Sequence, residues 1–128
     1  MDQIYGNFNL IHLLNIMSSP PTPQEIFLKF LENQKDSIPT YQNYGKMFFE
    51  DIQRIEKNIR CDIFQDNCCL YKGEIKNGFA SISFRGKKVS VQRLLYHNYI
   101  GLIRRNQIIK YTCHNKGLCC CLNHIHID

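Results

Sequence analysis

The last eighteen residues, Tyr-Thr-Cys-His-Asn-Lys-Gly-Leu-Cys-Cys-Cys-Leu-Asn-His-Ile-His-Ile-Asp, hold four of the chain's seven cysteines and three of its five histidines. Thiols and imidazoles at this density constrain a fold strongly, because three adjacent side chains such as Cys119, Cys120 and Cys121 cannot all point into a core. The alternative is a bound metal ion, whose bonds to Cys and His replace the apolar core that a short segment cannot build. A disulfide framework fits less well, since seven cysteines leave one unpaired. The first seventeen residues are mildly apolar but carry Asp2 and no basic stretch, so they make a poor export signal. The expected setting is intracellular and reducing, the host cytoplasm or nucleus if the protein is viral, where clustered cysteines serve as metal ligands rather than disulfides.

Charge divides the chain the same way. Residues 1–59 hold 5 Lys/Arg against 7 Asp/Glu, and residues 60–128 hold 11 against 4, so a balance of −2 faces one of +7 within the total of +5. The cysteine-rich half is therefore also the basic half, and a basic excess confined to one region suits a polyanionic partner, most simply nucleic acid. A solvated basic surface that only aids solubility is the plainer reading. The sequence contains no run of 18 apolar residues, so no membrane span is expected. The abundance of Asn, Ile and Lys fits an AT-rich genome such as that of a large DNA virus.

The pattern of the chain predicts an α+β fold in three parts: an N-terminal extension and proline-rich linker (1–21), a helical hairpin (22–60) and a zinc-binding module (61–128). Residues 1–17 read as a short helix or a loose segment, and Ser18-Ser19-Pro20-Pro21-Thr22-Pro23 as a linker. Thr22, Pro23 and Glu25 spell a helix start with a capping box, followed by an apolar stripe of Ile26, Phe27, Phe30 and Leu31 that ends near Asn33. A second helix is expected over about 42–59, with Tyr44, Met47, Phe48, Ile52, Ile55 and Ile59 on one face. Residues 79–91 alternate as a β-hairpin that turns at Arg85-Gly86-Lys87, with Ala80, Ile82 and Phe84 on one face. Val91 onward reads as a short helix closed by Gly101, and Gln107–Cys113 as an extended run into the cysteine cluster. His12 and His97 are isolated and read as structural or exposed, which leaves a small-molecule enzyme as the weakest reading.

Among the donors, Cys113 follows a strand, and Cys121 and His126 are spaced to wrap a short loop round one structural Zn²⁺. The fourth ligand is open between the Cys-Cys pair at 68–69 and Cys61. The stretch from Cys68 to Ile127 resembles the zinc-containing HNH endonucleases of the His-Me finger (ββα-metal) group, which includes the His-Cys box homing endonucleases. Three segments carry the resemblance in order: CCLYKGEIKNGFASISFRGKKV, VQRLLYHNYIGLI and YTCHNKGLCCCLNHIHI. It implies a zinc held by Cys68, Cys113, Cys121 and His126, with Cys69 a rival for the first position and Cys119 and Cys120 for the others. It also implies duplex DNA lying across the hairpin and helix, within reach of Arg85, Lys87, Lys88, Arg93, Arg104, Arg105 and Lys110.

Two departures touch the chemistry. Where these nucleases place a general-base histidine, two residues before the first tail cysteine, this chain has Tyr111, and a phenol with a pKa of about 10 is a poor base at neutral pH. His114 is an odd number of residues away and would face the opposite side of an extended strand. The family also places a metal-binding helix after the closing histidine, whereas this sequence ends at Asp128. The expectation is a catalytically degenerate HNH-like module, a pseudoenzyme that binds nucleic acid. The alternatives are a protein–protein module that docks a viral or host partner through its acidic helical hairpin, and an active metal-dependent endonuclease.

Overall fold

The structure is a computed structural model, and it describes residues 21–128. The segment 1–17 and residues 18–20 of the linker lie outside the described residues. The first helix, α1 (Pro23–Asn33), starts as its sequence predicts. The Thr22 hydroxyl accepts from Glu25 N (3.1 Å), the Glu25 carboxylate accepts from Thr22 N (2.8 Å), and Pro23 opens the first turn. Ile26 and Phe30 are its buried residues.

The second helix is shorter than its periodicity suggested. α2 spans Phe49–Ile59, not 42–59. Tyr41 and Tyr44 instead exchange both backbone hydrogen bonds across a tight turn, with Gln42 at φ 58°. Met47 is buried, but its N–H is donated to Asn98 Oδ1 (2.9 Å) rather than to a helical carbonyl. The real start signal is Asp51, whose carboxylate accepts from Phe48 N (2.8 Å) in the first turn. α2 ends at Arg60, which adopts a left-handed conformation and donates its N–H to Glu56 O.

A three-stranded antiparallel meander follows: β1 (Ile75–Lys76), β2 (Phe79–Phe84) and β3 (Lys87–Ser90). Both of its turns are two-residue turns at positive φ. Arg85 and Gly86 (φ 52° and 82°) join β2 to β3, and Asn77 and Gly78 (φ 54° and 84°) join β1 to β2. This twist matches that of the flanking strands, which is why Asn-Gly favours such turns. Ser90 caps α3 (Val91–Tyr99), its hydroxyl accepting from Arg93 N. The chain closes with β4 (Lys110–Tyr111), a 3-10 turn at Leu122–His124, and β5 (Ile125–His126), which pairs antiparallel with β4.

One core joins the helical pair to the cysteine-rich half. Phe30, Ile52, Ile55 and Ile59 pack in the same cluster as Phe84, Leu94, Leu95 and Cys120. A second, smaller cluster of Ile103, Ile109 and Ile125 sits beneath the β4–β5 ribbon. No helix among the described residues is long and apolar enough to cross a membrane.

Glu56 lies inside this packing, 6% exposed, with Oε2 lacking a hydrogen-bond partner and Arg60 Nη1 at 3.8 Å. Burial holds its carboxyl above the ordinary value of 4.5, and the nearby guanidinium only partly offsets this. A raised acid favours the fold fully below its unfolded pKa, and that contribution is lost as pH climbs through the folded pKa. Glu56→Gln should therefore match the parent near pH 4 and melt above it at pH 7. Melting curves of the two proteins at both pH values check this, and equal differences at both would contradict it.

Candidate metal centre

Two segments far apart in sequence meet in the second half of the molecule. Leu70 bridges to Cys119, Cys69 O accepts from Cys120 N (2.7 Å), and Leu118 O accepts from Tyr71 N (2.9 Å). Gln92 of α3 reinforces this junction from below. Its buried amide donates to Gly117 O and Cys119 O, both at 3.1 Å. Gly117 has φ 83° and lies so close to Gly78 O that an added Cβ would stand 2.4 Å from it, so no other residue fits there without moving the backbone.

The junction brings Cys68, Cys113, Cys119 and His124 together, with one donor atom from each within 4.8 Å of the others, close enough to hold a metal ion. The sulfurs of Cys68 and Cys119 lie 3.6 and 3.5 Å from His124 Nδ1. On the far side of the imidazole, Nε2 meets Asp66 Oδ1 at 2.8 Å. An Nε2–H donated to Asp66 leaves Nδ1 with its lone pair towards the thiols, which is the tautomer a metal requires. Asp66, Cys121 and His124 form a second possible group. It offers only three donors, and Cys121 already donates its thiol to Gln65 O (2.8 Å).

The electrostatics vary across the group. The Asn115 amide, 3.2 Å from Cys68 Sγ, holds that exposed thiol below its ordinary value. Burial pushes Cys119 up to about 12 and also raises its neighbour Cys120. The Asp66 carboxylate raises His124. A cation among these sulfurs would reverse the penalty on Cys119, since its charge favours thiolate over thiol.

The sequence-based ligand set and this group share two residues. Cys68 and Cys113 belong to the group, whereas its other members are Cys119 and His124 in place of Cys121 and His126. Both pairs have the same five-residue spacing, so spacing cannot separate them. The register is set by the Leu70–Cys119 bridge and by the 3-10 turn, which folds His124 back beneath the sulfurs. His126 falls on the outer face of β5, exposed, opposite Lys110. The rivals Cys61 and Cys69 are joined to each other as a disulfide, contrary to the expectation that the clustered cysteines avoid such pairing. Cys119, Cys120 and Cys121 are all fully buried, contrary to the expectation that three adjacent side chains could not all point inward, and Cys120 faces the core beneath Gln92. Tyr111 is half-buried in β4, and burial pushes its phenol up to about 12. His114 is exposed, and His97 is buried with Nε2 2.7 Å from Pro39 O, a structural histidine as expected. His12 lies outside the described residues. Nothing local in the sequence marks out Asp66, the carboxylate behind the histidine.

The cations proposed from sequence divide into two kinds. Arg85 and Arg93 act as internal braces: Arg85 donates to Lys46 O (2.9 Å) and Arg93 to Arg104 O (2.9 Å) and Gln107 O (2.5 Å). Lys88 pairs with Glu74, and Lys110 with Asp128. Lys87, Arg104 and Arg105 are exposed, with no side-chain hydrogen bond or ion pair among the described residues.

No family model matches the chain, and no solved structure matches it. It is similar to an uncharacterized protein of Acanthamoeba polyphaga mimivirus, with 34% identity over 114 residues that cover 83% of this chain. The chain spans about a third (32%) of that relative's length.

The geometry separates the two ligand sets experimentally. Cys119→Ser and His124→Ala should abolish bound metal, whereas Cys121→Ser and His126→Ala should retain it, as read by elemental analysis of the purified proteins. Asp66→Asn should weaken metal affinity by about 10- to 100-fold, the usual effect of removing a carboxylate behind a ligating histidine. Retention of metal by Cys119→Ser would disprove the assignment.

Proposed function

We propose that this chain is a zinc-stapled module of a viral protein that binds nucleic acid through a basic face and does not cleave it. Zinc is the ion the donor set suits best. Three thiolates and one imidazole form a common structural set, and a tetrahedral zinc with its usual bond lengths separates sulfur from nitrogen by about 3.6 Å. The distances of 3.5 and 3.6 Å to His124 Nδ1 agree with this. Viral origin draws support from the mimivirus relative, which is itself uncharacterized.

The observation that carries the nucleic-acid reading is the +7 balance of residues 60–128, the half that the metal group closes. Among the described residues, Lys87, Arg104 and Arg105 meet no carboxylate, which leaves their charges to face phosphates. Loss of hydrolysis follows from the HNH resemblance, which puts a phenol where a histidine base would be needed. A role as an active endonuclease or a protein-docking module is the competing outcome.

Two measurements test the proposal. Affinity for a short DNA duplex should fall steeply between low and physiological salt, because phosphate contacts release counterions. Binding that is absent or indifferent to salt would reject the nucleic-acid reading. Supercoiled plasmid should stay intact with magnesium or manganese, and nicking that disappears in Tyr111→Phe would show that the tyrosine takes part in an active nuclease.

A further inference from the structure

The loop between α1 and α2 is held far more firmly than a connection requires. Its backbone is gripped at four points by side chains from elsewhere. His97 binds Pro39 O (2.7 Å), and Asn98 takes both Gly45 O (3.0 Å) and Met47 N (2.9 Å). Arg85 donates to Lys46 O (2.9 Å), with its guanidinium packed so close to Gly45 that an added Cβ would stand 2.7 Å from Nη1. Arg93 lies over the Tyr44 ring, 5.5 Å from its centroid. Asn98 is fully buried, as nearly is His97 (1% exposed), so these are costly polar placements whose hydrogen bonds serve mainly to fix this loop.

The grip ends in a presented tip. Tyr41 and Tyr44 close the turn, and Gln42 and Asn43 stand exposed at its apex. Gln42 has φ 58°, a left-handed conformation that a side-chain-bearing residue adopts at a cost. Clefts lie on both sides of the tip. One, about 210 Å³, is bordered by Lys87, and the other, about 280 Å³, by Arg105. The backbone that carries these two carboxamides, each able to donate and accept at once, is thus fixed between two exposed cations.

We infer that the Tyr41–Tyr44 turn is a DNA-reading element, in which the Gln42 and Asn43 amides contact base edges while Lys87 and Arg105 flank them on phosphates. This deepens the nucleic-acid reading above and rests on it. Carboxamides suit adenine, whose major-groove edge offers one acceptor and one donor side by side, so the preferred duplex is A·T-rich. A fixed backbone lowers the entropy lost on binding.

The test is duplex binding by the full chain, followed by fluorescence anisotropy at several salt concentrations, with A·T-rich and G·C-rich duplexes of equal length. Gln42→Gly combined with Asn43→Ala leaves the charge unchanged and removes both amides. It should lower affinity for the A·T-rich duplex about tenfold, within the range for loss of a bidentate base contact, and leave the salt slope unchanged. Lys87→Ala and Arg105→Ala should each reduce the slope by about one. Metal content and melting temperature equal to the parent's establish that the turn variant is folded. In nuclear magnetic resonance spectra of the parent, the Gln42 and Asn43 side-chain amides should shift on adding the A·T-rich duplex. If the parent binds and the turn variant binds equally well, the inference fails and the basic-face reading stands. If the parent binds neither duplex at low salt, both fail.

Discussion

The junction between residues 68–71 and the cysteine-rich tail governs the second half of the molecule. Cys68 and His124 stand 56 residues apart in the chain, and their approach closes a long loop. Closure of that kind costs conformational entropy that the local contacts must offset. Around the tail itself the apolar reserve is small, with Ile103, Ile109 and Ile125 the buried members of its cluster among the described residues. Backbone bonds from Cys120 and Tyr71 align the segments, yet three thiols left uncharged in such a site contribute little cohesion. An ion that drew three sulfurs and a ring nitrogen to one point would add cohesion to the tail, beyond what Cys120 gains by packing into the main core.

Charge is used in two ways in the basic half. Arg85 and Arg93 spend their hydrogen bonds inward, on carbonyls of neighbouring loops, and their planar heads lie against aromatic rings. Arg85 sits 4.8 Å from the Phe84 centroid and Arg93 5.5 Å from that of Tyr44. A guanidinium suits this role because it can stack and donate several hydrogen bonds at once. Lysines near carboxylates, such as Lys88 beside Glu74, are partly neutralised on the surface. A balance counted from sequence thus overstates the charge free to meet a ligand.

The parts of the fold legible in sequence were those encoded by local chemistry. Thr22, Pro23 and Glu25 form a complete start signal, and the alternation through Ile82 and Phe84 marks the hairpin. Asn77-Gly78 carried an equally clear turn signal and announces the third strand, β1. The extension of α2 back to residue 42 failed because Tyr44 and Met47 do follow helical spacing. Their burial is instead arranged by Asn98 and Arg93, from a helix some fifty residues later. The metal group was legible as a density of donors but not as a register, since a run of three cysteines offers several equivalent spacings. Only the pairing of Cys119 with Leu70 selects among them, and such pairing leaves no trace in the order of residues.

α3 stands between the two features that matter most. Through Gln92 it holds the carbonyls of the ligand-bearing loop, and one helical turn and a half further on His97 and Asn98 hold the backbone of the 39–47 loop. All three side chains are buried and polar, and most of their partners are main-chain atoms, which no compensating side-chain change can supply. Apolar replacement at any of them would strand carbonyls or an N–H in the interior. Sequence drift in this protein is therefore least free along nine residues that supply no donor to the metal group, and a shared α3 pattern would be a more durable mark of kinship than the cysteines themselves.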